Sequence, residues 1–168
     1  GGIWDSTLSF GTAGQIVKVN SGATALEFGT VSSDYVKIKT VDITTSTATL
    51  DFVHGSNGVV LDGTYKYYKV LISSVQPTSQ GQNLRLRVGT GGSFATSGYL
   101  TEAHRSYYSG GTDRGSATDH LVGIRGGIED SSNGNANVEY TLNNMYDSGR
   151  KTTGIAIGCH IDGDDSNP

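Results

Sequence analysis

NLRLRVG, Asn83 to Gly89, is the stretch that decides the fold. Leu84, Leu86 and Val88 alternate with Arg85 and Arg87. Successive side chains of a β-strand point to opposite faces, so this period of two predicts a strand with one apolar and one charged face. The same period recurs on either side. "YVKIKTVDI" (Tyr35 to Ile43) alternates Val36, Ile38 and Val41 or Ile43 with Lys37, Lys39 and Asp42. Its phase slips near Thr40, as a bulge would make it do. "TATLDFV" (Thr47 to Val53) sets Leu50 or Phe52 against Thr49 and Asp51. "KYYKVLIS" (Lys66 to Ser73) is nearly continuous apolar sequence and is expected to be a central strand. Further strands are expected in "GYLTEAHRSYYS", "DHLVGIRG", "ANVEYTL" and "TTGIAIGCHI". Turn clusters separate them: "HGSNG", "LDGT", "PTSQGQ", "GTGG", "SGGTDRGS", "EDSSNGN" and "DSGRK". Gly and β-branched residues recur too often for a helix of ordinary length. The pattern predicts an all-β fold, an antiparallel, jelly-roll-like β-sandwich over residues 35–168.

Composition sets limits on function. The chain has 168 residues, a formal net charge of −4 and 35% hydrophobic residues. Counting its 25 Gly and leaving out its nine Tyr brings the apolar share to about 45%, an ordinary globular level that allows a buried core. Charged residues are 17%, against roughly 25% in a typical domain. Such a surface is a poor match to nucleic acid, which is held by clustered Lys and Arg. No apolar run approaches the ~20 residues of a membrane span, so no membrane insertion is expected. The single cysteine, Cys159, excludes an intrachain disulfide and a Cys-based zinc cluster. With Gly1 at its start and Met145 as its only methionine, the sequence is expected to be part of a longer or processed chain, truncated after Pro168.

Residues 1–34 differ from the rest: Gly, Ser and Thr with isolated apolar residues. Trp4, Phe10, Ile16, Val17, Leu26, Phe28 and Val31 are too few to enclose a core alone. Such a segment is disordered, lies on its own domain, or packs against copies of itself, and aromatics at this spacing argue against disorder. The expectation is an extended Gly-rich β arm packing in a trimer through Trp4, Phe10, Ile16, Val17, Leu26 and Phe28.

Within this arm, "GTAGQIVKVNSGATALEFGTV" (Gly11 to Val31) follows an ordered pattern. Gly11, Gly14 and Gln15 give Gly-x-x-Gly-Gln; Ile16 and Val17 are an apolar pair; then come Asn20, a small-residue turn over Ser21 to Thr24, and an apolar–x–aromatic ending at Leu26 to Phe28. This string resembles a short module of bacteriophage tail fibres and related virion appendages, in which the last aromatic is commonly Trp. It covers about an eighth of the chain. More loosely, "YKYYKVLISSVQP" and "LRLRV" resemble the β-sandwich tips of marine phage fibres. The resemblance implies a homotrimer in the virion, with residues 1–34 ending a stem and 35–168 starting a receptor-binding tip. Other virion proteins and a host surface glycan or protein would be its partners.

For the tip, "YLTEAHRSYYSGGTDRGSATDH" offers Tyr99, His104, Arg105, Tyr107 and Tyr108 beside a Gly-rich loop. Tyr supplies an apolar face with a hydroxyl, and Arg a planar fork of donors, so these five are the receptor-contact candidates. Neighbouring strand residues point oppositely, so Tyr107 and Tyr108 cannot both be core. No enzyme is expected. Asp42, Asp51, Glu102, Glu129 and Glu139 show no pairing of the kind glycan cleavage needs. "GGSFATSG" lacks the order of a nucleophile elbow, and the four His residues have no metal-ligand spacing. No cofactor is expected. "IDGDDSNP" places Asp162, Asp164 and Asp165 as a weak calcium candidate, but the Glu that completes an EF-hand loop is missing. Two other classes compete with the fibre: a carbohydrate-binding module of a secreted enzyme, and a purely architectural capsid or tail decoration protein.

Overall fold

A computed structural model describes residues 10–30, 34–90, 93–106, 111–130, 134–146 and 150–161. The described residues are all-β, with no helix, and their antiparallel sheets are open. The chain divides into two units, residues 1–40 and 41–168.

Among its described residues the first unit holds one hairpin, β1 (Ile16–Val19) with β2 (Leu26–Gly29). Over residues 16–29 the expected extended arm is therefore folded back on itself. Each part of the Gly-x-x-Gly-Gln string has a structural task. Gly14 takes a left-handed φ of 88°, which glycine adopts without strain. Gln15 closes the entry turn: its Oε1 accepts from Thr12 N at 2.8 Å. A Cβ on Gly11 would lie 2.6 Å from the Phe28 ring, so that ring lies over bare backbone. At the hairpin tip, Asn20 Oδ1 accepts from Thr24 N at 2.9 Å.

The second unit contains β3 (Tyr67–Val75), β4 (Gln82–Leu86), β5 (Gly89–Thr90), β6 (Ser93–Phe94), β7 (Thr101–Ser106), β8 (Thr112–Ala117), β9 (Leu121–Ile128), β10 (Ala136–Asn143) and β11 (Thr153–His160). Their hydrogen-bonded orders are β11-β10-β3, β4-β9, β5-β6 and β7-β8. The alternation of "ANVEYTL" is realised in β10, where Ala136, Val138, Tyr140 and Leu142 are all buried. Ile124 and Ile128 of β9 meet them, with Val70 and Ile72 of β3 and Leu84 and Leu86 of β4 packed around. One core thus joins side chains of the β11-β10-β3 and β4-β9 sheets. The Leu84/Arg85/Leu86/Arg87 alternation holds, arginines exposed and leucines half-buried.

Three expectations need correction. "YVKIKTVDI" and "TATLDFV" belong to no strand; Tyr35, Val36, Val41, Ile43 and Leu50 are exposed. Alternation makes a run fit for a sheet, but pairing requires an edge within reach, and neither run pairs with one among the described residues. Among the described residues "KYYKVLIS" is an edge strand, because β10 takes the centre and pairs on both sides. Leu71, 73% exposed, marks its outer face. "SGGTDRGS", expected as a turn, contributes most of β8, held by pairs such as His104↔Arg114 rather than by apolar alternation. The phase slip also falls elsewhere. In β3 it lies at Ser74 (φ 56°), where the register with β10 shifts. The freed Ser74 N donates to Asn137 Oδ1 at 3.0 Å, the hydrogen-bond repair a bulge needs.

Candidate functional site

In the hairpin, residues opposite each other share a face. Val17 pairs with Phe28 and Val19 with Leu26, so these four form one apolar face. The other face carries Ile16, Gly29 and the Lys18–Glu27 ion pair at 3.3 Å. The apolar face is only partly covered: Val17, Val19 and Leu26 are exposed and Phe28 half-buried. Ile16 is exposed on the polar face, and Phe10 is fully exposed. Of the expected trimer-packing residues, Val17, Leu26 and Phe28 are therefore brought together, Ile16 is on the opposite face, and Trp4 lies outside the described residues. Val19 completes the patch. Its place follows from hairpin register, which spacing along a single strand does not reveal.

The receptor-contact candidates separate. Tyr99 is buried, and its hydroxyl donates to Val88 O at 3.1 Å while accepting from Val88 N at 2.8 Å. A tyrosine so engaged is a packing residue, which corrects its assignment as a contact. On β7 the even residues Glu102, His104 and Ser106 are exposed and the odd ones half-buried. Arg105 accordingly turns inward, with Nη1 donating to Arg125 O at 3.3 Å. His104 remains exposed, with the loose Glu102–Arg114 ion pair (3.6 Å) on the same hairpin. Tyr107 and Tyr108 lie outside the described residues, as do Asp162, Asp164 and Asp165. Among the described residues, no group of three or more His, Cys, Asp or Glu is placed to hold a metal.

Below the start of β7 sits a polar latch that sequence reading missed. His120, buried, donates from Nδ1 to Asp119 Oδ1 at 2.6 Å. Arg87 holds the other side of Asp119, Nη2 to Oδ2 at 3.1 Å and Nε to the backbone O at 3.0 Å. The His120 hydrogen bond, and then Arg87, keep the Asp119 carboxyl below its ordinary value of 3.8. Thr101 spends its hydroxyl on His120 O at 3.0 Å. Asp119 and His120 thus fasten the 118–120 turn to Arg87, just past β4, and to Thr101 of β7. "ATDH" offers no sequence signal for this, because Arg87 reaches it from 32 positions away.

A groove of about 330 Å³ opens between β7, β9 and β11. Thr101 to His104 form one wall and Leu121 to Gly123 another; Gly154, Ala156 and Gly158 line the β11 side, over Tyr140 and Leu142. A third feature is aromatic. Tyr68 is buried between Tyr65 (ring centroids 6.2 Å, edge-on) and Tyr146 (6.4 Å, tilted), both exposed. The Tyr68 hydroxyl donates to Asp62 O. Asp62, whose side chain accepts from Thr64 N at 3.0 Å, is held below its ordinary value by Thr64. Two tyrosine faces beside an ionised carboxylate give a surface able to stack on a ring and accept its hydroxyls.

No helix among the described residues is long and apolar enough to cross a membrane. Comparison with protein-family models, with characterised proteins and with solved structures finds no match.

Proposed function

We propose that this chain is a structural, non-enzymatic protein of a bacteriophage tail fibre, a homotrimer whose first 34 residues end the stem and whose β-rich body is a host-binding tip on the virion. The observation that carries this reading is the one-sided hairpin. Val17, Val19, Leu26 and Phe28 form an apolar face left largely in solvent, on a hairpin closed by Gly11, Gly14, Gln15 and Asn20. Two-stranded hairpins are marginal alone. Three such faces meeting on an axis would bury one another and hold the chains in register.

In this reading the β11-β10-β3 and β4-β9 sheets are facing layers of a jelly-roll-like sandwich, supported by the core they share. Adhesion would be multivalent. Weak contacts through exposed groups such as His104, Tyr65 and Tyr146 are repeated on three tips, which raises the effective concentration at a host surface. Other virion proteins would join the stem, and a surface glycan or protein would be the receptor. Light scattering on the purified chain tests the assembly: a mass of three chains is expected, and a mass of one chain removes the fibre reading. Purified protein should also compete with phage adsorption to host cells; a trimer that does not compete is architectural only.

A further inference from the structure

We propose that the groove between β7, β9 and β11 seats a strand donated by a neighbouring copy of this chain, and that the donor is the run from Tyr35 to Val53. The inference rests on the oligomeric reading above but uses a different part of the molecule.

The groove has the form of a place for a strand. Both β7 and β11 line it, yet among the described residues β7 pairs only with β8 and β11 only with β10. An edge strand presents a row of backbone donors and acceptors to whatever lies beside it, and natural edges are usually blunted by charge, proline or a bulge. β11, TGIAIGCH, carries no Asp, Glu, Lys, Arg or Pro, and its register with β10 runs without a shift over eight pairs. At Gly154 and Gly158 the core reaches the backbone itself, since a Cβ would lie 2.9 Å from Leu142 Cδ2 and 2.8 Å from Ile124 Cδ1, so β11 sends no large side chain into the groove. Ile155 and Ile157, 61% and 70% exposed, point to the opposite, outer face of the strand.

The donor has the complementary deficit. Tyr35–Ile43 and Thr47–Val53 alternate as strands do, yet neither belongs to a strand, and Val36, Val41, Ile43 and Leu50 are exposed. Strand addition would pair the donor backbone with the β11 edge and turn alternate apolar side chains onto the Gly154–Gly158 floor. The nine residues of Tyr35–Ile43 match the eight of β11. Lys37 and Lys39 bring positive charge to a rim that carries Glu102. Donation from each chain to the next is a head-to-tail contact, and a three-fold rotation closes it into a ring in which every donor run and every β11 edge is used.

Cys159 supplies the test, because it is exposed on the outer face of β11. Val36→Cys, Lys37→Cys, Ile38→Cys and Lys39→Cys, each in the full chain, are oxidised mildly and run on non-reducing gels. Residues on one face of adjacent strands come within disulfide reach and their neighbours do not, so covalent multimers should form at alternate positions, about fivefold over the intervening ones. In the same chain, Val41→Asp with Ile43→Asp should speed hydrogen exchange of the β11 amides about tenfold, the mark of a lost strand partner. A three-chain mass with no alternating cross-links overturns the inference and leaves the fibre reading standing; a one-chain mass removes both. Cross-links that add no mass would show that the run covers its own groove, and Cys159–Cys159 dimers of the parent chain would show β11 pairing with itself. Either result overturns the proposal.

Discussion

Tyr140→Phe is expected to stabilise the protein. Tyr140 sits at the middle of β10, 1% exposed, and its hydroxyl has no hydrogen-bond partner among the described residues. A buried hydroxyl without a partner costs about 1–3 kcal/mol. The change removes that cost and leaves a void of roughly 10–15 Å³, one water-sized sphere. At about 24 cal/mol per Å³ the void returns about 0.3 kcal/mol. The net gain is then about 1–2.5 kcal/mol, and with a urea m-value near 2 kcal/mol/M the midpoint rises by about 0.5–1 M. Protein concentration must be held fixed, since self-association shifts apparent stability. Alkaline pH gives an independent reading. Burial pushes the Tyr140 phenol above its ordinary value of 10.0. With the folded value raised, its contribution is whole below about pH 10 and is lost as pH climbs, because the unfolded chain ionises first, at about 1.4 kcal/mol per pH unit. The Phe variant should lose that slope. A midpoint that stays put or falls, with an unchanged alkaline limb, would refute the reasoning.

Gly123→Ala should destabilise by about 1–3 kcal/mol in the same urea assay, because its Cβ would lie 1.9 Å from Tyr140 Oη and 3.2 Å from Leu84 O. The loss should shrink when it is combined with Tyr140→Phe. Ser74→Gly should raise the melting temperature by about 2 °C, as relief from a left-handed φ of 56° outweighs glycine's extra unfolded-state entropy by about 0.5 kcal/mol. Asp119 is held below its ordinary 3.8 by His120 and then Arg87. A depressed folded value gives stability that is present above about pH 4 and lost as pH falls through the folded value. Urea midpoints from pH 5 to pH 2 should therefore fall less steeply for Asp119→Asn than for the parent chain.

The parts of the fold that were legible are those whose partner did not need to be known. Leu84 and Leu86 declare a face by their own alternation, as do Val138, Tyr140 and Leu142. What escaped was pairing. Tyr35–Ile43 reads as a strand on its own residues but finds no edge among the described residues of its own chain, whereas Thr112–Ala117 reads as a loop and is made a strand by β7. The site residues divide in the same way. His104 and Arg105 are neighbours in sequence, and strand geometry sends one to solvent and the other inward. Tyr99 could be placed only by finding the Val88 backbone that holds its hydroxyl. The Asp119–His120–Arg87 latch needs the β4 end and the 118–120 turn together, and no local pattern joins them.

The hairpin at the front of the chain rests on four cross-strand pairs with its oily side turned to water. A structure that small opens often, and each opening offers its backbone to a protease. Lys18, Lys37 and Lys39 all stand exposed ahead of β3. In the unassembled chain trypsin should therefore shave this end first and leave a resistant fragment beginning past Lys39, and assembly of the three chains should protect the same sites.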